Sequence, residues 1–232
     1  MPTFNDHLTN LDALLQDDAA KLSSTEKKRI ITESAKEFSR RVPRVVTKQI
    51  TGTNGFDYDL PTADGWEDEF STVKEVIFPF DANAQDIRRL EPKDTALIRL
   101  PAGLKLRFLR NIPATSQSFL LSFSARHVLS EGGNTSTIKE FHTDAFTYLC
   151  ASIAARALAD FYSQTTDTAL AGDTTDYEGR GGFWSDRADA WDEKYKAEVQ
   201  KIINKTGAFA QGEWDLEGTS GFEPLLHRFI DR

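Results

Sequence analysis

Four histidines, one cysteine and an acidic cluster are the side chains through which this chain can do chemistry. His127 follows an apolar run, and His142 precedes a helical pattern with Asp144 two residues on. An imidazole and a carboxylate so spaced can share a metal ion, but no third ligand pattern accompanies them. Asp57, Asp59, Asp64, Glu67, Asp68 and Glu69 supply enough oxygens for calcium. Their spacing lacks the alternation and central glycine of the loop that wraps that ion, so solvated hairpin and loop carboxylates are the better reading. Cys150 lies in an alanine-rich helical pattern and reads as a small core residue. His7 and His227 lie in end segments and suggest no chemistry. Trp66 can stack a sugar or pack in a core, and packing is favoured for one tryptophan in a turn. No glycine-rich phosphate cradle and no serine nucleophile elbow occur in the sequence. The expectation is no catalytic residues, no metal and no cofactor.

The elements that position these side chains are readable from periodicity. Phe4, Leu8, Leu11 and Leu15 form one helical face. Asp17-Asp18-Ala19-Ala20 reads as a break. Ser23 and Glu26 predict a capping box, and Ile31, Ala35, Phe38 and Val42 continue a stripe that Pro43 ends. From Val45 to about Leu129 the pattern is β. Val45–Thr51 and Phe56–Leu60 read as a hairpin about Thr53-Asn54-Gly55. Val73–Phe80 is a strand, 96–100 and 104–108 form a second hairpin, and 119–125 is the last strand. That spacing predicts a small antiparallel sandwich or barrel. Phe146, Leu149, Ile153, Ala157 and Phe161 then mark a helix, and Gln164 to Gly182 reads as a polar loop. Trp184, Ala188, Trp191, Tyr195, Val199 and Ile202 mark the clearest helix.

The expected architecture is α+β. Residues 1–44 and 136–206 form a small bundle of three to four helices. An antiparallel sandwich or barrel-like domain, 45–130, is inserted, and 207–232 is an extended C-terminal tail. The bundle core is expected to hold Ile31, Phe38, Phe146, Leu149, Ile153, Trp184, Trp191 and Tyr195. The tail carries Trp214, Phe222, Leu225, Leu226, Arg228, Phe229 and Ile230, an apolar set that needs a surface to lie on.

The 232 residues carry a net charge of −8 and 39% hydrophobic residues, ordinary for a globular protein. The charge argues against broad clamping of nucleic acid. One cysteine excludes an internal disulfide and fits a reducing cytoplasm. The N-terminus lacks the basic and apolar regions of a secretory signal, and no apolar run is long enough to span a bilayer.

The assembled pattern resembles the head–tail connector, or adaptor, proteins of tailed bacteriophages over about residues 22–204. The phrases that carry it are Leu22–Ile31 leading to Ser39-Arg40-Arg41-Val42-Pro43-Arg44, Tyr58-Asp59-Leu60-Pro61, Gly65-Trp66, Ile77-Phe78-Pro79 and Ser124-Ala125-Arg126-His127. They continue with the helix from Leu149 to Ala159, Thr166 to Asp173, Arg187-Ala188 and Tyr195. The chain departs from that family in its large β block and long tail. The resemblance implies a structural virion protein at the neck, made in the host cytoplasm. It implies a homo-oligomeric, dodecameric ring beneath the portal protein, with the C-terminal segment docked to the portal. A downstream neck or tail-completion protein would follow, and viral double-stranded DNA would pass through the lumen without sequence-specific binding. A carbohydrate- or host-surface-binding sandwich on a helical oligomerisation stem is the alternative.

Overall fold

The computed structural model describes residues 1–81, 88–164 and 177–214, the side chains of 17, 177–178 and 206–214 excepted. The fold is α+β, with four helices and three small antiparallel sheets among the described residues. It divides into two compact units, Met1–Ser34 with Ser130–Arg232, and Ala35–Leu129.

In the first unit, α1 (Phe4–Leu15) starts on a capping box: Asp6 N–H donates to Thr3 Oγ1 at 3.2 Å, and Thr3 N–H donates to Asp6 Oδ2 at 2.7 Å. These reciprocal bonds satisfy donors that a helix start otherwise leaves open. The buried face of α1 is Phe4, His7, Leu11 and Leu15, so His7 takes the central place expected of Leu8, which is half-buried. A 3₁₀ segment, Gln16–Lys21, leads to α2 (Ser24–Arg41), whose start carries the expected Ser23–Glu26 box at 2.8 and 3.2 Å.

Helix α3 (Thr143–Gln164) packs along α4 (Tyr177–Trp214) and also meets α1. The expected stripe on α3 is only partly the buried one. Phe146 and Leu149 are buried, Ile153 is half-buried, and Phe161 is 44% exposed. Ala151, Ala154, Ala155, Leu158 and Tyr162 complete the covered face instead. The reason is steric: small side chains let α4 come close, so the contact face follows the alanines rather than the largest apolar residues. On α4, Trp184, Ala188, Trp191, Tyr195, Val199 and Ile202 are all buried, as their spacing predicts.

Two boundaries differ from expectation. Residues 177–182 are helical rather than loop, although Gly179, Gly181 and Gly182 fall there. Residues 207–214 continue α4 rather than forming an extended tail. Tertiary packing on the α4 face overrides weak local propensity at the first boundary. Phe222, Leu225, Leu226, Arg228, Phe229 and Ile230 lie outside the described residues, as does the span 165–176 of the expected loop.

Among its described residues the second unit holds six strands: β1 (Arg44–Thr51), β2 (Asp57–Asp59), β3 (Val73–Phe80), β4 (Thr95–Leu100), β5 (Gly103–Phe108) and β6 (Ser118–Ala125). They form two antiparallel sheets, ordered β1-β6-β3 and β2-β5-β4. Both sheets contribute to one core: Tyr58, Leu106 and Phe108 from one, Val76, Phe78, Phe119, Leu121 and Phe123 from the other. The rings of Tyr58, Phe108 and Phe119 meet edge to face at 4.9–5.4 Å, the geometry that aromatic quadrupoles favour. This is a sandwich-like arrangement with no closed barrel among the described residues.

The hairpin expected between 45–51 and 56–60 does not form. Strand β1 pairs with β6, Arg44 opposite Ala125, while β2 pairs with β5 in the other sheet. The turn at Asn54, φ 59°, therefore carries the chain from one sheet to the other. Gly52 is required there, because a Cβ would stand 2.3 Å from the Ala114 carbonyl oxygen. The 95–100/103–108 hairpin and the strands at 73–80 and 118–125 are as predicted. A two-stranded ribbon, β7 (Leu129–Ser130) with β8 (Thr135–Ser136), leads to α3.

Phe38, expected in the helical bundle, is buried in the second unit with its ring 5.5 Å from that of His127. The last turns of α2 are tied there by hydrogen bonds described below.

Candidate functional site

The side chains that suggested chemistry are placed by packing. His127 lies at the end of β6, buried against the last turn of α2. Its Nε2 is 2.9 Å from the Val42 carbonyl oxygen, which can only accept, so that nitrogen carries the proton. The His127 backbone N–H donates to Ser39 Oγ at 2.9 Å, and Ser39 Oγ donates to Ala35 O at 2.6 Å. His127 thereby satisfies a carbonyl that the end of α2 would leave open. His142 is buried in a 3₁₀ turn, Glu140–His142, before α3, with its ring 4.0 Å from that of Phe141. Among the described residues no group of three or more His, Cys, Asp or Glu side chains converges as a metal site would need.

The six acids of the β unit are separate. Asp57 accepts two bonds from Arg107, at 2.6 and 2.7 Å, which hold its carboxyl below the usual range. Asp59 pairs with Lys105 at 2.9 Å, Asp64 with Lys48 at 3.0 Å and Glu67 with Arg126 at 2.7 Å. Asp68 accepts from Trp66 Nε1 at 3.0 Å. The first two pairs stand directly opposite across β2 and β5, a cross-strand ladder rather than an ion loop. Trp66 is 3% exposed and packs on Phe123, so its face is closed to a stacking sugar. Cys150 is buried, and burial pushes its thiol up to about 12, which makes it inert as a nucleophile at neutral pH.

Two polar features escaped sequence reading. His7 is 2% exposed on α1, with Nε2 3.1 Å from Ser136 Oγ and its ring edge-on to Phe146 at 4.8 Å. Burial holds its pKa down at about 4. Its place on one helical face, three residues after Phe4 and four before Leu11, was the available signal. Asp18, in the segment read as a break, is the second. Tyr162 Oη donates to Asp18 Oδ1 at 2.7 Å, Trp184 Nε1 donates to Asp18 Oδ2 at 3.1 Å, and Arg180 stands 3.7 Å away. One carboxylate thus joins the 3₁₀ segment to α3 and α4. Burial and the Asp18 bond raise the Tyr162 pKa, so the phenol stays the donor.

The most organised surface is the adjoining face of α4. The Arg187 guanidinium lies 5.0–5.8 Å from the ring centres of Phe183, Trp184 and Trp191. The four residues recur at helical spacing, and Phe183 is exposed. Asp186, Asp189, Asp192 and Glu193 share this helix, with Asp192 paired to Lys196 at 2.7 Å. Charge is unevenly distributed: Ala35–Leu129 holds 14 basic and 12 acidic residues, the other unit 14 basic and 24 acidic. Among the described residues these polar side chains serve as structural anchors. Among the described residues no helix is long and apolar enough to cross a membrane.

No protein-family model matches the chain, and no curated protein matches it.

Proposed function

We propose that this chain is a structural connector of the tailed-phage head–tail type, a non-enzymatic ring subunit that joins a portal to the neck beneath it. The observation that carries the reading is the shape of the α3–α4 pair. Gly181 lies beside Ala159 and Ser163, and Lys194 lies over Tyr148 at 5.6 Å, so the helices run antiparallel. At 1.5 Å per residue, α4 continues about 20 Å past the start of α3. That projection carries exposed Ile203 and leads into the segment with Phe222, Leu225, Leu226, Phe229 and Ile230. A projecting helix followed by an apolar segment fits a subunit that reaches out to a neighbouring assembly.

The uneven charge supports the same reading. An acidic helical unit repels a DNA duplex and favours sliding over binding. In this proposal the tail, with Arg228 at its rim, docks on the portal, a dodecameric ring continues the DNA channel, and a downstream neck protein follows. No cofactor takes part.

The test is a pair of truncations, after Trp214 and after Asn204, assayed for addition to portal-bearing heads and imaged by electron microscopy. Both truncated proteins are expected to keep native far-UV circular dichroism for the remaining body and to lose addition to heads. Infectious particles from the shorter variant would place the docking contact in the body and sink this reading of the tail.

A further inference from the structure

We propose that the open edge of β4 pairs with β4 of a second copy of this chain, antiparallel about a two-fold axis, in a register centred on Leu97. Among its described residues the β unit has four edge strands, β1, β3, β2 and β4. Three of them are guarded. The outer edge of β3 is occupied by the 88–90 segment, with Phe78 N–H donating to Arg88 O at 3.0 Å and Leu90 N–H donating to Val76 O at 2.8 Å. Strand β1 carries Lys48 at its middle, on the side of Val46 and Ile50, paired with Asp64. Strand β2 has three residues, two of them ion-paired aspartates.

Strand β4 has six residues and no such guard among the described residues. Its one charge, Arg99, stands near its end. Leu97 lies directly opposite Leu106, which is 1% exposed, yet Leu97 is 41% exposed. The core-facing side of the sheet runs past its last strand and leaves an apolar side chain uncapped.

The hydrogen-bond phase fixes which backbone groups are open. Leu109 N–H donates to Asp94 O at 2.8 Å, and the hairpin closes at Leu100 opposite Gly103. Antiparallel ladders alternate, so residues 94, 96, 98 and 100 turn their groups to β5. The N–H and C=O groups of Thr95, Leu97 and Arg99 face the open edge and have no hydrogen bond among the described residues. Centring a two-fold axis on Leu97 pairs Leu97 with Leu97, Thr95 with Arg99 and Arg99 with Thr95 of the second copy. All six open groups are satisfied. Leucine meets leucine, Arg99 meets a hydroxyl, and on the other face Ile98 meets Ala96. A register centred on Ile98 sets Arg99 against Leu97, and one centred on Arg99 sets the two guanidiniums against each other. Pro92 and Pro101 bracket the strand and confine the pairing to this stretch. The contact is isologous, so it closes at two copies and builds no filament. A strand pair of this size is smaller than a standard interface, so the association is weak and concentration-dependent. It is independent of the connector reading.

Sedimentation velocity from dilute to concentrated protein is expected to show a shift from the 26.0 kDa monomer toward twice that mass. Leu97→Lys should abolish the shift while leaving far-UV circular dichroism unchanged, and Leu97→Thr should weaken it several-fold. Oxidised Leu97→Cys should give covalent dimers that Gln49→Cys, on the guarded β1 edge, does not; buried Cys150 is the only native thiol. A monomer at every concentration, a dimer insensitive to Leu97→Lys, or a larger assembly with no Leu97→Cys cross-link would overturn the proposal.

Discussion

At the scale of single residues, the side chains that look reactive are committed to holding backbone and neighbours in place. His127 closes the end of α2, Asp57 and Asp59 brace a strand pair, and Cys150 is buried within α3. His7 gives a pH prediction with a definite sign. Its folded pKa, about 4, lies below the unfolded value near 6.5, so between these values the unfolded chain binds more protons. His7 should therefore cost nothing above pH 6.5 and progressively weaken the fold as pH falls toward 4. Urea midpoints measured across that range should decline, and His7→Phe should flatten its share of the decline. An unchanged slope in His7→Phe would mean that the ring titrates freely. Gly52 is a second such position. The Ala114 and Pro113 carbonyls leave no room for a methyl group, so Gly52→Ala should destabilise by about 1–3 kcal/mol, the range of strained-backbone and overpacking substitutions. Chemical denaturation checks it, and a loss below about 0.5 kcal/mol would show that the crossover loop yields easily. These roles were only partly legible: histidine in an apolar row was visible, but the partner that buries it, Ser136, is far along the chain.

At the scale of elements, local chemistry was readable wherever it sufficed to decide structure. The Ser23–Glu26 cap, the stop at Pro43, the 95–108 hairpin and the α4 stripe all follow from nearby residues. Failures came where a distant partner decided. The 45–60 region carries sound hairpin signals, yet β6 competes for β1 and wins, because pairing with β6 places Val46 and Ile50 on the shared core. The start of α4 is the same case in a helix. Gly179, Gly181 and Gly182 argue for a loop, and Trp184 with its Asp18 bond argues for a helix in the fold. This conflict predicts a stabilising change. Gly182 is exposed, and no atom lies within 4 Å of the point where a methyl group would stand. Gly182→Ala should therefore raise stability by about 0.5–1 kcal/mol through helix propensity. Thermal or urea unfolding would show it, and a loss of stability would mean that the glycine serves a contact not seen in this conformation.

At the scale of the whole molecule, two compact units share one chain, and α2 contributes its first turns to one and its last turns to the other. The tryptophans divide the same way. Trp66 reports the β core, while Trp184 and Trp191 report the α3–α4 pair. Each unit has its own buried core, so each should unfold by its own cooperative transition. Trp191→Ala deletes a large buried aromatic and should cost the helical unit about 3–5 kcal/mol; Phe108→Ala should cost the β unit a similar amount. A variant retaining only Trp66 should follow the Phe108→Ala loss by fluorescence and barely register Leu158→Ala on the helical side. A variant retaining Trp184 and Trp191 should follow changes on the helical side, such as Leu158→Ala, and barely register Phe108→Ala. If both fluorescence probes move together for every core substitution, the shared helix α2 transmits unfolding from one unit to the other, and the chain melts as one.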